Sequence, residues 1–354
     1  MRVGIIAANN IRYSPYIYFY TRILDEMDMD YEIIIANRYN LNESFEKPLH
    51  VLPWKNHINP LINYYTYAQK VKKVLKEQDY DFLIVLTSIN AVFLSTWLKR
   101  NYNKKYIVDI RDYSHENFYP YYLLEKTAIK NSALNVISSK RFTRFLPEAE
   151  YCVCHNFDER KKYKYSFHSK VGQIIIGYVG GVSYVNQCTK LMRLVAVDPR
   201  FKFEFYGTTS KESLLKDAAS EFQCDRIVFH GGYAPEEKSA ILMNVDILFN
   251  AYGNGSLLLD CALSNKLYDA LIYKKPILTC KDTYMTEMAG PLAFPIDLTN
   301  EKSLDDLFTW YKAIDAYTVE EYANNKLKVI GGENLVTKEA IIRCLESISS
   351  NGSI

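Results

Sequence analysis

The sequence predicts an α/β protein made of two domains, each a doubly wound parallel sheet. Three observations carry this reading. Short apolar runs alternate with segments of helical spacing from residue 2 to residue 154, at the pitch of βαβ units. The alternation restarts near residue 173. Between the two series, residues 159–170 are charged, aromatic and aperiodic, as a linker is. The expected division is therefore 1–165, 166–335, and a final helix and tail over 336–354, the helix free to cross back onto the first domain.

In the first half, residues 2–8 form an apolar strand and residues 15–27 a helix. Strands follow at 31–36 and 50–52. Residues 61–77 have helical spacing with Lys70, Lys72, Lys73 and Lys76 on one face, a solvated face by default and a surface for anionic lipid as the alternative. A strand at 82–86, a helix at 91–100 and a strand at 105–110 come next. A helix at 121–130, a strand at 134–137, a short helix from Ser138 and a strand at 151–154 complete the series. In the second half, strands at 173–179, 201–206, 226–229 and 245–249 alternate with helices at 188–197 and 211–222 and a short one opened by Pro235. Ser264 is a fair N-cap for a helix carrying Leu267, Ala270 and Leu271 on one face. Pro276 ends it, and Ile277-Leu278 give the next strand. A late strand at 292–295 precedes helices at 303–314, 319–327 and 338–348.

The chain has 354 residues with a formal charge of +2, which argues against a general attraction to nucleic acid. No apolar run approaches the roughly 20 residues of a membrane-crossing helix. Met1 to Ala8 reads as a first strand rather than the core of a signal peptide. The seven cysteines are scattered and fit reduced thiols in the cytoplasm. Cys152-Val153-Cys154 has no second Cys or His pair at zinc spacing, so no metal and no cofactor are expected.

Ligands of open parallel sheets bind beyond the carboxyl ends of the strands, and the polar residues at those ends are the candidates. In the first half the strand at 105–110 runs into Arg111-Asp112-Tyr113-Ser114-His115-Glu116, which nominates Arg111, Asp112 and His115 as catalytic residues. The first strand runs into Asn9-Asn10-Ile11-Arg12-Tyr13 instead of a G-x-G-x-x-G loop, which nominates Asn9, Asn10 and Tyr13 for a second substrate. In the second half the strand ends carry Gly180-Gly181, Gly207, and Gly231-Gly232-Tyr233, with Asn254 in the loop after the strand at 245–249. Paired glycines allow backbone to approach a ligand closely. Ser264-Asn265-Lys266-Leu267-Tyr268-Asp269 opens the helix described above. Free N–H groups, the helix dipole and Lys266 favour a phosphate there, and Asp269 one turn in could accept ribose hydroxyls.

This last string resembles the N-K-L-Y-E/D segment of GT-B glycosyltransferases of the large retaining family 4, many of which build bacterial surface polysaccharides. In that family an acid seven positions before the proline of a strand start binds the donor ribose, and Asp269 stands at that distance from Pro276. Asp109-Ile110-Arg111-Asp112 resembles the family's D-x-R-D segment, and Cys154-His155-Asn156-Phe157-Asp158 partly matches the P-N-G-V-D string that closes the first domain. The resemblance implies two Rossmann-like domains facing across a cleft, donor phosphates at Gly180-Gly181, the base near Gly231–Tyr233, and transfer of a sugar from a nucleotide diphosphate sugar to a glycan or lipid-linked glycan. It implies a retaining, metal-independent reaction in surface polysaccharide synthesis, at the inner face of a membrane or in the cytoplasm. An inverting route would instead need a side-chain base such as His115 or Asp112. Two departures stand out. Gly181 occupies the position of the family's diphosphate arginine, and Cys261 that of a second acid eight residues before the ribose-binding one. A GT-B nucleotide-sugar epimerase and a non-catalytic nucleotide-sugar-binding partner of another transferase are the alternatives.

Overall fold

The computed structural model describes residues 1–157, 165–209 and 211–351. Asp158 and much of the 159–170 linker, together with the last residues of the tail, lie outside them. The chain divides into one unit of Met1–Asn156 with Gly332–Ile354 and a second of Phe157–Gly331. The first division falls ahead of the charged linker, and the second falls inside the last helix.

The first unit is a seven-stranded parallel sheet of β1 (Arg2–Ala7), β2 (Asp30–Asn37), β3 (Leu49–Pro53), β4 (Phe82–Leu86), β5 (Tyr106–Ile110), β6 (Leu134–Ile137) and β7 (Cys152–Val153). Its order is β3-β2-β1-β4-β5-β6-β7, so the winding reverses between β1 and β4. Helices α1 (Ile17–Glu26), α2 (Pro60–Gln78), α3 (Ser88–Asn101) and α4 (Tyr119–Asn131) connect the strands. Val3, Ile5, Ile33, Ile35, Phe82 and Ile84 have no exposed surface, because a parallel sheet covered on both faces buries both sides of its central strands.

The second unit repeats the plan with six parallel strands. These are β8 (Ile174–Val179), β9 (Phe201–Tyr206), β10 (Ile227–Gly231), β11 (Ile247–Phe249), β12 (Ile277–Thr279) and β13 (Ala293–Pro295), in the order β10-β9-β8-β11-β12-β13. Its reversal lies between β8 and β11. Helices α5 (Val185–Val197), α6 (Glu212–Ser220), α7 (Lys238–Asn244), α8 (Leu257–Cys261), α9 (Asn265–Tyr273), α10 (Tyr284–Ala289) and α11 (Ser303–Ala313) surround a core that includes Phe203, Phe205, Phe249 and Tyr178. The short helices α8 and α10 have no counterpart in the sequence reading. Each is nucleated by its cap: the hydroxyl of Ser256 accepts from Leu259 N, and that of Thr283 from Thr286 N.

The two helices expected at 319–327 and 338–348 are one helix, α12 (Ala316–Asn351). Gly331-Gly332 costs such a helix about 1 kcal/mol per glycine relative to alanine. Contacts within the first unit offset this. Asn334 Oδ1 accepts from His155 N at 2.7 Å, Asn334 Nδ2 donates to His155 O, and Thr337 Oγ1 donates to Val153 O at 2.6 Å. His155 Nε2 meets Glu333 at 2.7 Å. Ile341 and Leu345 then enter the first unit's core with no exposed surface.

If that insertion is a true core contact, Ile341→Ala should destabilise the first unit by about 2–5 kcal/mol. Denaturant unfolding followed on the purified chain checks this; a loss below about 0.5 kcal/mol would mean that the returning helix merely rests on the surface.

Candidate functional site

The second unit gathers its candidate residues at the carboxyl edge of its sheet, beside the reversal between β8 and β11. Gly180 N donates to Tyr206 O and Gly207 N to Gly231 O, so the sheet's ladder extends into all three glycine turns. Gly180, Gly207 and Gly231 have φ of 112°, 139° and 77°, values that side chains rarely tolerate. At Gly207 the requirement is steric as well: a Cβ there would stand 2.1 Å from Gly180 O. Glycine is thus needed for two turns to pack backbone against backbone. Gly181 has open space around it, Gly232 is exposed, and Tyr233 lies near the Asp269 carboxylate.

Helix α9 starts at this edge. The Ser264 hydroxyl accepts from Lys266 N and donates to Asn250 Oδ1 at 2.6 Å, which ties the cap to the loop after β11. Asn265 is exposed, and Leu267 is fully buried in the core. Asn254, in the same loop, donates to Lys281 O.

Lys266 is only 8% exposed. Its Nζ sits 4.6 Å from the centre of the Tyr178 ring and 5.4 Å from that of Tyr252. It also lies 3.8 Å from where a Cβ on Gly180 would be, so the ammonium faces the phosphate-type turn. Among the described residues Nζ makes neither an ion pair nor a hydrogen bond. Burial pushes its pKa down to about 8, with Lys238 adding to the fall and Asp269 opposing it. Two ring faces contribute on the order of 1–2 kcal/mol each, which offsets part of the desolvation but leaves the charge without a counter-ion.

Asp269, one turn on, is buried and accepts from Lys238 Nζ at 2.8 Å through Oδ1. Lys238, Tyr178 and Tyr252 were not candidates from the sequence. Lys238 stands 31 residues from Asp269, so only the packing of α7 on α9 brings the pair together. Tyr178 did carry a signal, being an aromatic two residues before a strand-end glycine. Of the positions noted as departures, Cys261 is fully buried, and the neighbouring Asp260 braces the loop by accepting from Gly255 N.

The first unit treats its candidates unequally. Arg111 is buried, donates to Asp109 Oδ2 at 2.6 Å and to Cys154 O at 2.8 Å, and lies over the Tyr16 ring. Asp109 also accepts from Tyr20 OH. The guanidinium therefore neutralises an interior carboxylate and ties β5 to the chain beyond β7. Asp112 is exposed at its outer edge, yet desolvation pushes its carboxyl up to about 6 against the pull of Arg111; solvent moderates that push. His115 is exposed and packs edge-on against Tyr121. Glu116 and Glu125, absent from the candidates, are buried beside this loop. Burial and its neighbour Glu116 push Glu125 up to about 9.

Asn10 is fully buried and fully committed. Its Nδ2 donates to Asn37 Oδ1 and Glu43 Oε1, and its Oδ1 accepts from Arg38 N and Tyr39 N. It braces the loop after β2 rather than offering a ligand contact. Asn9 Oδ1 accepts from Asn10 N, and Tyr13 is exposed with its ring 4.6 Å from that of Tyr39. Among the described residues no group of three or more His, Cys, Asp or Glu side chains is placed to hold a metal ion, and no helix is long and apolar enough to cross a membrane.

No family model matches the chain, and no curated protein does. Solved structures do. Sucrose-phosphate synthase from Thermosynechococcus elongatus superposes with a TM-score of 0.71 at 10% identity, covering 98% of this chain and 100% of that one. The lipopolysaccharide outer core galactosyltransferase WaaB in its apo form gives 0.68 at 12% identity over 97% and 99%. Anabaena HepE, solved in complex with UDP-glucose, gives 0.66 at 15% over 98% and 99%. The fold is therefore the GT-B fold of two Rossmann-like parallel sheets.

An uncompensated buried ammonium has a stability signature. The folded pKa of about 8 lies below the ordinary 10.5, so between these values the unfolded chain binds more protons and stability rises with pH. Below pH 8 the full penalty is present. Lys266→Met should thus stabilise the protein at pH 7 by roughly 1–3 kcal/mol, with the gain shrinking above pH 8. Urea unfolding of both proteins across pH 6.5–10 checks this, and a destabilised Lys266→Met at neutral pH would contradict it.

Proposed function

We propose that the protein is a glycosyltransferase that moves a sugar from a nucleotide diphosphate sugar to a hydroxyl of a glycan or lipid-linked glycan in surface polysaccharide synthesis. The observation that carries this reading is Lys266, a buried cation without a counter-ion, held by aromatic rings against a glycine turn at the carboxyl edge of the second sheet. A diphosphate is the anion that such a place suits, because the α9 N-terminus and the turn N–H groups favour the same charge. In this reading Lys266 takes over from the arginine that the Gly181 position lacks. Asp269, with Oδ1 held by Lys238, offers its other oxygen to the ribose hydroxyls. The solved neighbours support the reading, since HepE is described with UDP-glucose and WaaB is a galactosyltransferase.

The reaction breaks the bond between the anomeric carbon and the diphosphate oxygen and forms one to the acceptor oxygen. The acceptor proton passes to a phosphate oxygen of the departing nucleoside diphosphate, on the same face of the sugar, so that the configuration is retained. Negative charge grows on the diphosphate in the transition state, where Lys266 and the α9 dipole stabilise it without a metal. The second unit holds the donor and the first the acceptor, with Asp112 and His115 serving the acceptor hydroxyl. Peripheral contact with an anionic membrane face belongs to the same reading. It is supported by exposed Leu61, Ile62 and Tyr65 and, further along the same side of α2, Lys72, Lys73 and Lys76.

Lys266→Ala should lower kcat/KM by at least about a hundredfold, or ~2.7 kcal/mol, with every donor sugar, and Lys266→Arg should restore part of it. Steady-state transfer assays decide this; near-normal turnover by Lys266→Ala would mean that the phosphates are held by backbone alone. Activity should also survive EDTA. Loss on chelation with recovery on Mg²⁺ or Mn²⁺ would replace the metal-free scheme by a metal-assisted one.

A further inference from the structure

Several guanidinium groups of this protein face a buried carboxylate: Arg2 has Glu32, Arg111 has Asp109, and Arg200 has Asp198. Arg38 does not. It is half-buried just past the carboxyl end of β2, and its side chain makes no hydrogen bond or ion pair among the described residues. Its Nε is fully buried and unpartnered. What surrounds it is aromatic: the guanidinium carbon lies 4.3 Å from the centre of the Trp54 ring and 4.9 Å from that of Tyr64. The two rings meet edge to face at 5.2 Å, which fixes them as a wall.

Rings can take up the faces of a guanidinium, but its five N–H donors lie in its plane and need oxygen. A buried N–H left without an acceptor costs about 1–3 kcal/mol. The fold nevertheless holds the group in place. Asn10, buried and saturated, clamps the backbone N–H groups of Arg38 and Tyr39, and Tyr13 packs at a tilt against Tyr39 with both rings substantially exposed. A planar cation short of acceptors, against half-buried Trp54 and Tyr64 and with the exposed ring of Tyr39 on the adjoining residue, is matched by one ligand chemistry. That ligand is a sugar, whose CH faces stack on the rings, bearing an oxyanion that accepts from the guanidinium in bidentate fashion.

We propose that Arg38, Trp54, Tyr64, Tyr39 and Tyr13 form a subsite of the first unit for a sugar carrying a phosphate ester or a carboxylate. The identification of that sugar as part of the acceptor rests on the transferase reading; the subsite itself rests on the geometry. The oxyanion could belong to a glycosyl phosphate or to a uronic acid, and the two sources are separated by the probes below.

Trp54 lies in the wall and reports directly. In a Trp97→Phe/Trp310→Phe background its emission should change saturably with glucose 1-phosphate or with glucuronate, and not with methyl glucoside; the tighter of the two anions names the source. Arg38→Gln should weaken that binding at least about tenfold while keeping its circular dichroism and melting temperature, and Arg38→Lys should keep part of it. Lys266→Ala should leave it unchanged, because Lys266 belongs to the other unit. UDP, followed by thermal shift, should bind Arg38→Gln as it binds the parent. Absence of a saturable Trp54 response to both anionic sugars overturns the subsite, and so does equal affinity in Arg38→Gln. A Trp54 response dependent on Arg38, without any UDP binding to the parent, overturns the transferase reading and supports the subsite.

Discussion

A lysine ammonium kept nearly dry, without a carboxylate to neutralise it, is the constraint around which the second unit is arranged. Lys266 enters from the first turn of α9, where the dipole is already positive, and Tyr178 and Tyr252 cover it. The dipole and the burial each disfavour the folded chain taken alone, and the ring faces offset only part of that cost. Together they make an electrostatic hole for an anion that the strand-end glycines can reach. The close approach of Gly207 to Gly180 packs the two turns backbone against backbone at that edge. The stability withheld by the desolvated charge is available to a ligand, since desolvated charges interact strongly once paired.

The rest of the interior shows how unusual this is. Asp109 pairs with Arg111 two residues on, while Glu32 and Arg2, His155 and Glu333, and Asp269 and Lys238 pair across elements. Burying a charge is tolerable when a partner and further hydrogen bonds are present, and these pairs follow that rule. Lys266 and Arg38 depart from it in the same way. Both sit past or beside strand ends, and both are held by aromatic faces instead of acids. An aromatic face stabilises a cation without using its hydrogen-bond donors, which is the arrangement expected where the acceptor arrives from outside. In the first unit Glu125 is the acidic counterpart, a buried carboxyl kept neutral by desolvation and by Glu116.

Much of this was legible in the sequence because it is local. Apolar runs set the strands: β4, β6 and β9 have the expected bounds. The Ser264 cap and the register of α9 followed from residue types at fixed spacing, and so did the strand-end glycines. What escaped was set by distant packing. Asp109-Ile110-Arg111-Asp112 shows two acids and an arginine, but only the fold spends Arg111 on Asp109 and leaves Asp112 outward. Asn10 reads as a polar strand-end residue, and its four hydrogen bonds to residues 37–43 become visible only when the loop is in place. Gly331-Gly332 argues for a break, and α12 runs through it because Asn334 and Thr337 find partners in the 153–155 segment. Lys238 lies in a segment with no distinguishing pattern, and nothing short of the α7–α9 contact could have pointed to it.

The account turns on the protonation of one side chain, which can be observed directly. With lysine labelled with ¹³C at Cε, and Lys266→Arg used for assignment, the titration of Lys266 can be followed by NMR in the free protein and with saturating UDP. The prediction is a free pKa near about 8 that rises toward or above the ordinary lysine value of 10.5 when the diphosphate arrives, since an anion favours the charged form. A Lys266 that titrates near 10.5 in the free protein and does not respond to UDP would contradict it.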